Sequence, residues 1–265
     1  MEINRRHFLK LSGALAAASL VKTDRTARAD QIPSTSQDVY GCLVDTTLCV
    51  GCRKCEQACN ERHHLPKPAD SFEELAVLEN ERRMDETTYT VVNKYYPKNI
   101  GTLTWRTRPT FVKFQCMQCG TPSCVAACPV DATYKQADGL VVIDPKKCVG
   151  CGNCVTACPY GARYRNPTSR IADKCDFCRH RLAQAEEPAC VLTCPTKARI
   201  FGDLNDPESE VSRLVREEKL VRVMAPHVDT RPNIYYREGT RLLDWATTPT
   251  LPGNVHMDRG FWERS

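Results

Sequence analysis

Aromatic residues make up only 7% of these 265 residues, and no apolar run reaches the roughly 18–20 residues that a membrane-crossing helix needs. The chain is therefore expected to have no transmembrane segment of its own. No basic stripe is interleaved with stacking aromatics, which removes the usual footprint of nucleic-acid binding. No phosphate-cradling glycine loop, activated nucleophile or acid–base pair stands out, so catalysis on a small molecule is not expected from this chain alone.

The N-terminus carries an ordered set of export signals. Arg5-Arg6 followed by Phe8-Leu9-Lys10 resembles the twin-arginine export motif, Leu11–Val21 is an apolar stretch of signal-peptide length, and Ala27-Arg28-Ala29 has the form of a cleavage site. Residues 1–29 hold six basic and two acidic residues, so the mature chain retains about +1 of the formal +5. Export points to the periplasm, an oxidising compartment where thiols become disulfides.

Against that, the chain has 17 cysteines. Sixteen fall into four groups: Cys49, Cys52, Cys55, Cys59; Cys116, Cys119, Cys124, Cys128; Cys148, Cys151, Cys154, Cys158; and Cys175, Cys178, Cys190, Cys194. Each begins C-x-x-C and ends C-x-x-x-C. The last three continue as Cys-Pro-x-x-Ala, in "CPVDA", "CPYGA" and "CPTKA". The third group matches the bacterial ferredoxin run C-x2-C-x2-C-x3-C-P throughout.

The spacing suits a cubane. Three cysteines on a tight loop occupy three corners, and the fourth, beyond a short helix, ligates a partner cluster. Gly51, Gly150 and Gly152 lie between ligands, where backbone N–H groups can approach sulfur. Pro129, Pro159 and Pro195 end the helices. Structural zinc has no need of the C-x3-C-P tail, and disulfide scaffolds are usually far shorter, with an even cysteine count. Twin-arginine export of an already folded protein reconciles the tag with reduced, cluster-bound thiols. The remaining thiol, Cys42, reads as an unligated buried cysteine on a short strand.

Together with "YTVVNKY", "FVKFQCMQC", "KCDFC", "GDLNDPESEVSRL" and "TRPNIYY", these groups resemble the four-cluster electron-transfer subunits of the dimethyl sulfoxide reductase superfamily, from about Val39 to Tyr236. Relatives of that kind serve polysulfide, tetrathionate, nitrate and formate enzymes and periplasmic hydrogenase and sulfite-reduction complexes. The resemblance implies four [4Fe-4S] clusters. Cluster one would be held by Cys49, Cys52, Cys55 and Cys194, and cluster two by Cys175, Cys178, Cys190 and Cys59. Cluster three would use Cys116, Cys119, Cys124 and Cys158, and cluster four Cys148, Cys151, Cys154 and Cys128. Cys151 stands where nitrate-reductase-like relatives carry an aromatic residue and a three-iron cluster.

Cluster charge would take the mature protein to about −7. Arg53, Lys54, Lys147, Arg163, Lys174 and Arg179 are candidates to offset it. The implied partners are an integral membrane quinone-interacting subunit and a catalytic molybdopterin, hydrogenase or multihaem subunit. A soluble periplasmic polyferredoxin and a redox sensor using Cys42 are the rivals.

The expected fold is α+β: two nested ferredoxin-like 2[4Fe-4S] modules, an inserted β-hairpin region and a C-terminal extension. After the signal peptide (1–29) and a linker (30–40), residues 41–60 and 171–205 form the outer module and 107–170 the inner one. Residues 61–106 are the insertion, with strands joined by a loop at Pro97–Gly101. Residues 206–265 hold a helix N-capped by Asp206, with Pro207 at N1 and an apolar stripe of Val211, Leu214 and Val215, and then the extension. His63-His64 reads as an exposed polar pair in a loop.

Overall fold

The computed structural model describes residues 39–96, 108–218, 220, 222 and 228–237. The signal peptide, most of the linker, the Pro97–Gly101 loop and the end of the extension lie outside them. Mixed helix and strand content agrees with the α+β expectation.

A three-stranded sheet organises one half of the molecule. Strand β1 (Tyr40–Asp45) is central, and its residues from Gly41 onward are buried on both faces. Helix α1 (Lys54–His63) follows it and carries Cys55 and Cys59. Glu56, fully buried on α1, accepts from Arg53 Nε (3.0 Å), Arg82 Nη1 (3.0 Å) and the Val92 N–H (2.7 Å). Two guanidiniums and a backbone donor satisfy this carboxylate, which fastens α1 to the next strand.

That strand, β2 (Thr90–Tyr95), pairs antiparallel with β3 (Thr110–Gln115) over six residues. The sequence places the second strand after the Pro97–Gly101 loop, a stretch that lies outside the described residues, and the partner seen is β3. β3 runs directly into Cys116, so the hairpin delivers the second cysteine group rather than standing apart from it.

Three short units then repeat. Helices α2 (Ser123–Ala126), α3 (Asn153–Thr156) and, after α4 (Arg179–Leu182), α5 (Ala189–Leu192) each make one turn. Each ends on a bond from the N–H of the last cysteine of its group: Cys128 to Val125 O (3.1 Å), Cys158 to Val155 O (3.3 Å) and Cys194 to Val191 O (3.1 Å). The following proline has no N–H to continue the helix, so the chain leaves in the same way three times. Two small hairpins, β4 (Thr133–Lys135) with β5 (Val141–Ile143) and β6 (Tyr164–Arg165) with β7 (Ala172–Asp173), link the units. α2 packs on α3, and α1 on α5.

Strand β8 (Arg199–Asp203) returns antiparallel to β1, pairing Tyr40 with Asp203 and Val44 with Arg199. Helix α6 (Glu210–Glu217) lays Val211 and Leu214 on Leu43 and Tyr235, the expected stripe. Its start differs from the expectation. Ser209 is the N-cap residue, while the Asp206 carboxylate accepts from the Glu208 N–H in a turn one step earlier. Asp206 and Ser209 are both good capping types, and the turn at Asp206-Pro207 claims the first of them.

The extension also contributes a strand. β9 (Ile234–Arg237) pairs parallel with β1, Cys42 opposite Ile234 and Asp45 opposite Arg237. Just before it, the Asn233 N–H donates to Met117 O (2.9 Å) and the Gly120 N–H to Arg231 O (2.7 Å), so this segment joins the sheet to the loop of the second cysteine group.

Candidate metal centres

The four groups do not stay separate. Cys59 of the first group is buried, and its thiol is pushed well up by that burial and by Cys175, Cys190 and Cys178 of the fourth, against a bond from the Tyr89 N–H. Burial also lifts Cys49, with Cys194 and Cys52 acting in the same direction. Cys158 of the third group is pushed up to about 11 by burial and then by Cys124 and Cys116 of the second. Cys119 is raised by burial and by Cys116, Cys124 and Cys158. Cys59, Cys194 and Cys158 are thus each within electrostatic range of thiols of another group. No such link to Cys148, Cys151 or Cys154 is seen for Cys128, although Cys124 of its group packs with Cys148 and Cys154 in one cluster with Val141 and Ala172.

Cys59, Cys175, Cys178 and Cys190 line one small pocket, together with Cys42, His63, Gln115 and Arg199. Among the described residues no three of His, Cys, Asp and Glu converge closely enough to hold a single ion. Thiols spread around a cavity suit a larger polynuclear group better than zinc, whose ligands must all sit about 2.3 Å from one point.

The Cys-Pro-x-x-Ala repeat has a local purpose here. The N–H groups of Val130 and Ala132 bond Cys128, and those of Tyr160 and Ala162 bond Cys158. Ala132, Ala162 and Ala198 are all buried. Two N–H donors per sulfur favour the thiolate. On Cys128, burial works the other way, but the bonds from Thr133, Val130 and Ala132 prevail and lower it. The Thr133 N–H lies 3.4 Å from its Sγ.

Cations complete the setting. Arg199 is buried; its Nη2 donates to Gln115 Oε1 (3.1 Å) and lies 3.5 Å from Cys42 Sγ. Lys113 Nζ lies 3.8 Å from Cys190 Sγ and also bonds Gln115 Oε1. Burial opposes ionisation of Cys190, yet Arg199 and Lys113 outweigh it and hold that thiol below its ordinary range. Arg163 is buried against Cys124, Cys116, Cys154 and Cys158, and its Nη1 reaches Thr133 Oγ1 at 3.1 Å. Nε and Nη1 of Arg199, Nε and Nη2 of Arg163 and Nε2 of Gln115 have no protein acceptor although fully buried. Orphaned donors beside clustered thiols fit an anionic iron–sulfur group, whose sulfurs accept hydrogen bonds.

Of the six basic residues expected to offset cluster charge, only Arg163 and Lys174 are buried against thiols. Arg53 is committed to Glu56 and to the carbonyls of Ser71 and Glu74, whereas Lys54, Lys147 and Arg179 are exposed. Arg199 and Lys113, which are outside that set, are further cations buried against thiols. For Arg199 a signal stands one residue beyond the repeat: Cys158 and Cys194 are each followed five positions later by arginine.

Cys42 is buried and raised by that burial against Arg199 and Lys113. It contacts the Leu43 carbonyl within β1, as a packed unligated thiol would. The paired histidines part company. His64 is exposed, but His63 ends α1, lies 3.4 Å from Cys178 Sγ and packs edge-on against Tyr89 and His180. The αL turn at His64 closes the helix and turns His63 inward.

Gly51 and Gly150 have φ of +72° and +67°, and an added Cβ would meet the Phe111 ring at 2.5 Å or Arg170 O at 2.1 Å. Close packing and left-handed backbone both require glycine there.

Comparison with known proteins places these features in a family. A model described as "4Fe-4S dicluster domain" matches residues 107–204, one described as "4Fe-4S binding domain" residues 46–62, and one for the twin-arginine translocation pathway signal sequence residues 2–21. The chain is similar to one of the subunits of the tetrathionate reductase of Salmonella typhimurium, 34% identical over 241 residues that cover 89% of this chain and 88% of that protein. It is similar also to protein NrfC of Escherichia coli K12, 35% identical over 237 residues that cover 89% and 95%. A protein of Nitratidesulfovibrio vulgaris is 39% identical over 242 residues; these cover 88% of this chain but only 59% of that longer relative.

Proposed function

We propose, from the premise that the chain belongs to the ferredoxin-type electron-transfer subunits of the dimethyl sulfoxide reductase superfamily, that it conducts electrons through four [4Fe-4S] clusters in a periplasmic respiratory complex. The observation that carries the proposal is the crossing of groups: Cys59 among Cys175, Cys178 and Cys190, and Cys158 among Cys116, Cys119 and Cys124. A thiol set of that form supports paired cubanes in which each group lends its fourth cysteine to a neighbour.

On this reading Cys49, Cys52, Cys55 and Cys194 hold cluster one, and Cys175, Cys178, Cys190 and Cys59 hold cluster two. Cys116, Cys119, Cys124 and Cys158 hold cluster three, and Cys148, Cys151, Cys154 and Cys128 hold cluster four. Residues 41–60 with 171–205 then form a module around residues 107–170, and 206–265 extend it. β1–β8 pairing and α1–α5 packing support the nesting. When bound, each cubane supplies a one-electron redox site. The cysteines fix its position, the N–H groups of the Cys-Pro-x-x-Ala turns bond its thiolates, and the buried cations balance its charge.

The chain does no substrate chemistry of its own in this proposal; it connects an integral membrane quinone-interacting subunit to a catalytic molybdopterin, hydrogenase or multihaem subunit. Among the described residues no helix is long and apolar enough to cross a membrane. Val50, Val149 and Leu192 lie between ligand cysteines and are 56%, 65% and 67% exposed. Apolar side chains at the edges of the cysteine loops suit a docked partner better than a free shuttle.

The test is metal and haem content of the tagged protein, purified anaerobically with its partners in mild detergent, followed by gel filtration. Iron together with molybdenum, nickel or c-type haem in a large complex is expected and names the partner class. Migration as a lone chain, below the 29.8 kDa of the unprocessed 265 residues, with full iron would instead support the polyferredoxin.

A further inference from the structure

Two arginines occupy the same place in the sequence repeat. Cys158-Pro-Tyr-Gly-Ala leads to Arg163, and Cys194-Pro-Thr-Lys-Ala leads to Arg199. In the corresponding position after Cys128 stands Thr133, whose hydroxyl accepts from Arg163. Both arginines enter the interior behind a buried alanine, and each keeps two guanidinium nitrogens without a protein acceptor.

Their surroundings correspond as well. Arg199 lies within electrostatic range of Cys55 from the first group and Cys190 and Cys175 from the fourth, and it lines the cavity walled by Cys59, Cys175, Cys178 and Cys190. Arg163 lies in range of Cys116, Cys124 and Cys158 and also of Cys154. Under the ligand sets proposed above, on which this inference rests, each guanidinium is in range of ligands of both cubanes of one pair.

We infer that Arg199 and Arg163 are potential-setting residues, one for each cluster pair, whose free N–H groups face both cubanes of the pair and stabilise their reduced state. A fixed positive charge in a low-dielectric interior favours the more negative of two redox states. Hydrogen bonds to cluster sulfur act in the same direction. Only a guanidinium offers several donors in a rigid plane, enough to serve two neighbours at once. The sequence repeat thus supplies a matched cation to each pair, and the two pairs can be tuned independently.

The experiment is an EPR-monitored redox titration of the whole complex carrying Arg199→Gln or Arg163→Gln, with iron measured on the same samples. Wild-type protein with near-zero iron would fail the cluster reading itself, before this inference is reached. With full iron, Arg199→Gln lowers the potentials of clusters one and two by roughly a tenfold or greater change in the oxidised-to-reduced ratio, about 59 mV or more for a one-electron couple, and leaves three and four in place. Arg163→Gln does the reverse. Full iron with unchanged potentials, or with all four shifted alike, overturns the inference.

Should a Gln variant lose iron, Arg199→Lys and Arg163→Lys carry the test. The ammonium is a point charge that cannot serve both cubanes, so one cluster of the pair keeps its potential and the other falls. Both unchanged, or iron lost again, overturns the inference.

Discussion

The second and third cysteine groups lie close together in the chain, whereas the first and fourth are separated by everything in between. The difference shows in what holds them. Groups two and three are joined by the β4–β5 hairpin and the packing of α2 on α3, contacts between near neighbours in sequence. Groups one and four are brought together by β1 with β8 and by α1 with α5, and the sheet is completed by β9 from near the end of the described chain. Closing that longer loop costs more conformational entropy, and the buried sheet and the packing of α1 on α5 offset it. The outer pair of sites is therefore the one that depends on distant parts of the chain.

Removing residues 234–265, which takes away β9, is the harshest way to break that comparison. It deletes Ile234, Tyr235 and Tyr236 from the core but keeps the bonds of Asn233 to Met117 and of Arg231 to Gly120. We expect loss of the outer clusters, about half the iron, with the inner pair retained by EPR. Equal loss from both pairs would show that the two halves fold as one unit.

A single ligand sharpens the crossing. Cys59→Ser is expected to remove about a quarter of the iron, from the outer pair only, and Cys158→Ser the same fraction from the inner pair. Colorimetric iron with EPR on each variant checks both. If Cys59→Ser altered an inner cluster, the crossed ligand sets would have to be redrawn.

Packing on the far side of the sheet sets the next scale. Leu214→Ala removes a buried α6 side chain from Leu43 and Tyr235 and is expected to cost about 2–5 kcal/mol in chemical denaturation. The outer pair should then be released at lower denaturant than the inner pair. The smallest effect belongs to Arg179→Ala. That side chain is exposed, 3.6 Å from Asp176, so stability should stay within about 0.5 kcal/mol and all cluster potentials should hold.

The cysteine groups are legible because their chemistry is local: ligands three or four residues apart declare themselves in any short stretch. The crossing of groups is not local, and it follows from family resemblance rather than from spacing. β9 leaves almost no trace in sequence, since Ile234–Arg237 is too short to show a period and is a strand only because β1 offers it an edge. Partial alternation on either side of Pro97–Gly101 suggests a hairpin closed by that loop, which lies outside the described residues; the partner seen for β2 is Thr110–Gln115, whose alternation is masked by burial on both faces. The α6 start is ambiguous because "NDPES" offers two capping residues. His63 reads as an exposed loop residue because its contacts, Cys178 and Tyr89, are remote in sequence.

The proposed electron path depends on the sixteen grouped cysteines holding four cubanes. Iron and acid-labile sulfide content, with Mössbauer spectroscopy on the anaerobically purified full-length protein, reads that directly. Four cubanes give about sixteen iron and sixteen sulfide per chain, all in cubane environments. About eight iron, a three-iron component, or zinc in place of iron would contradict them.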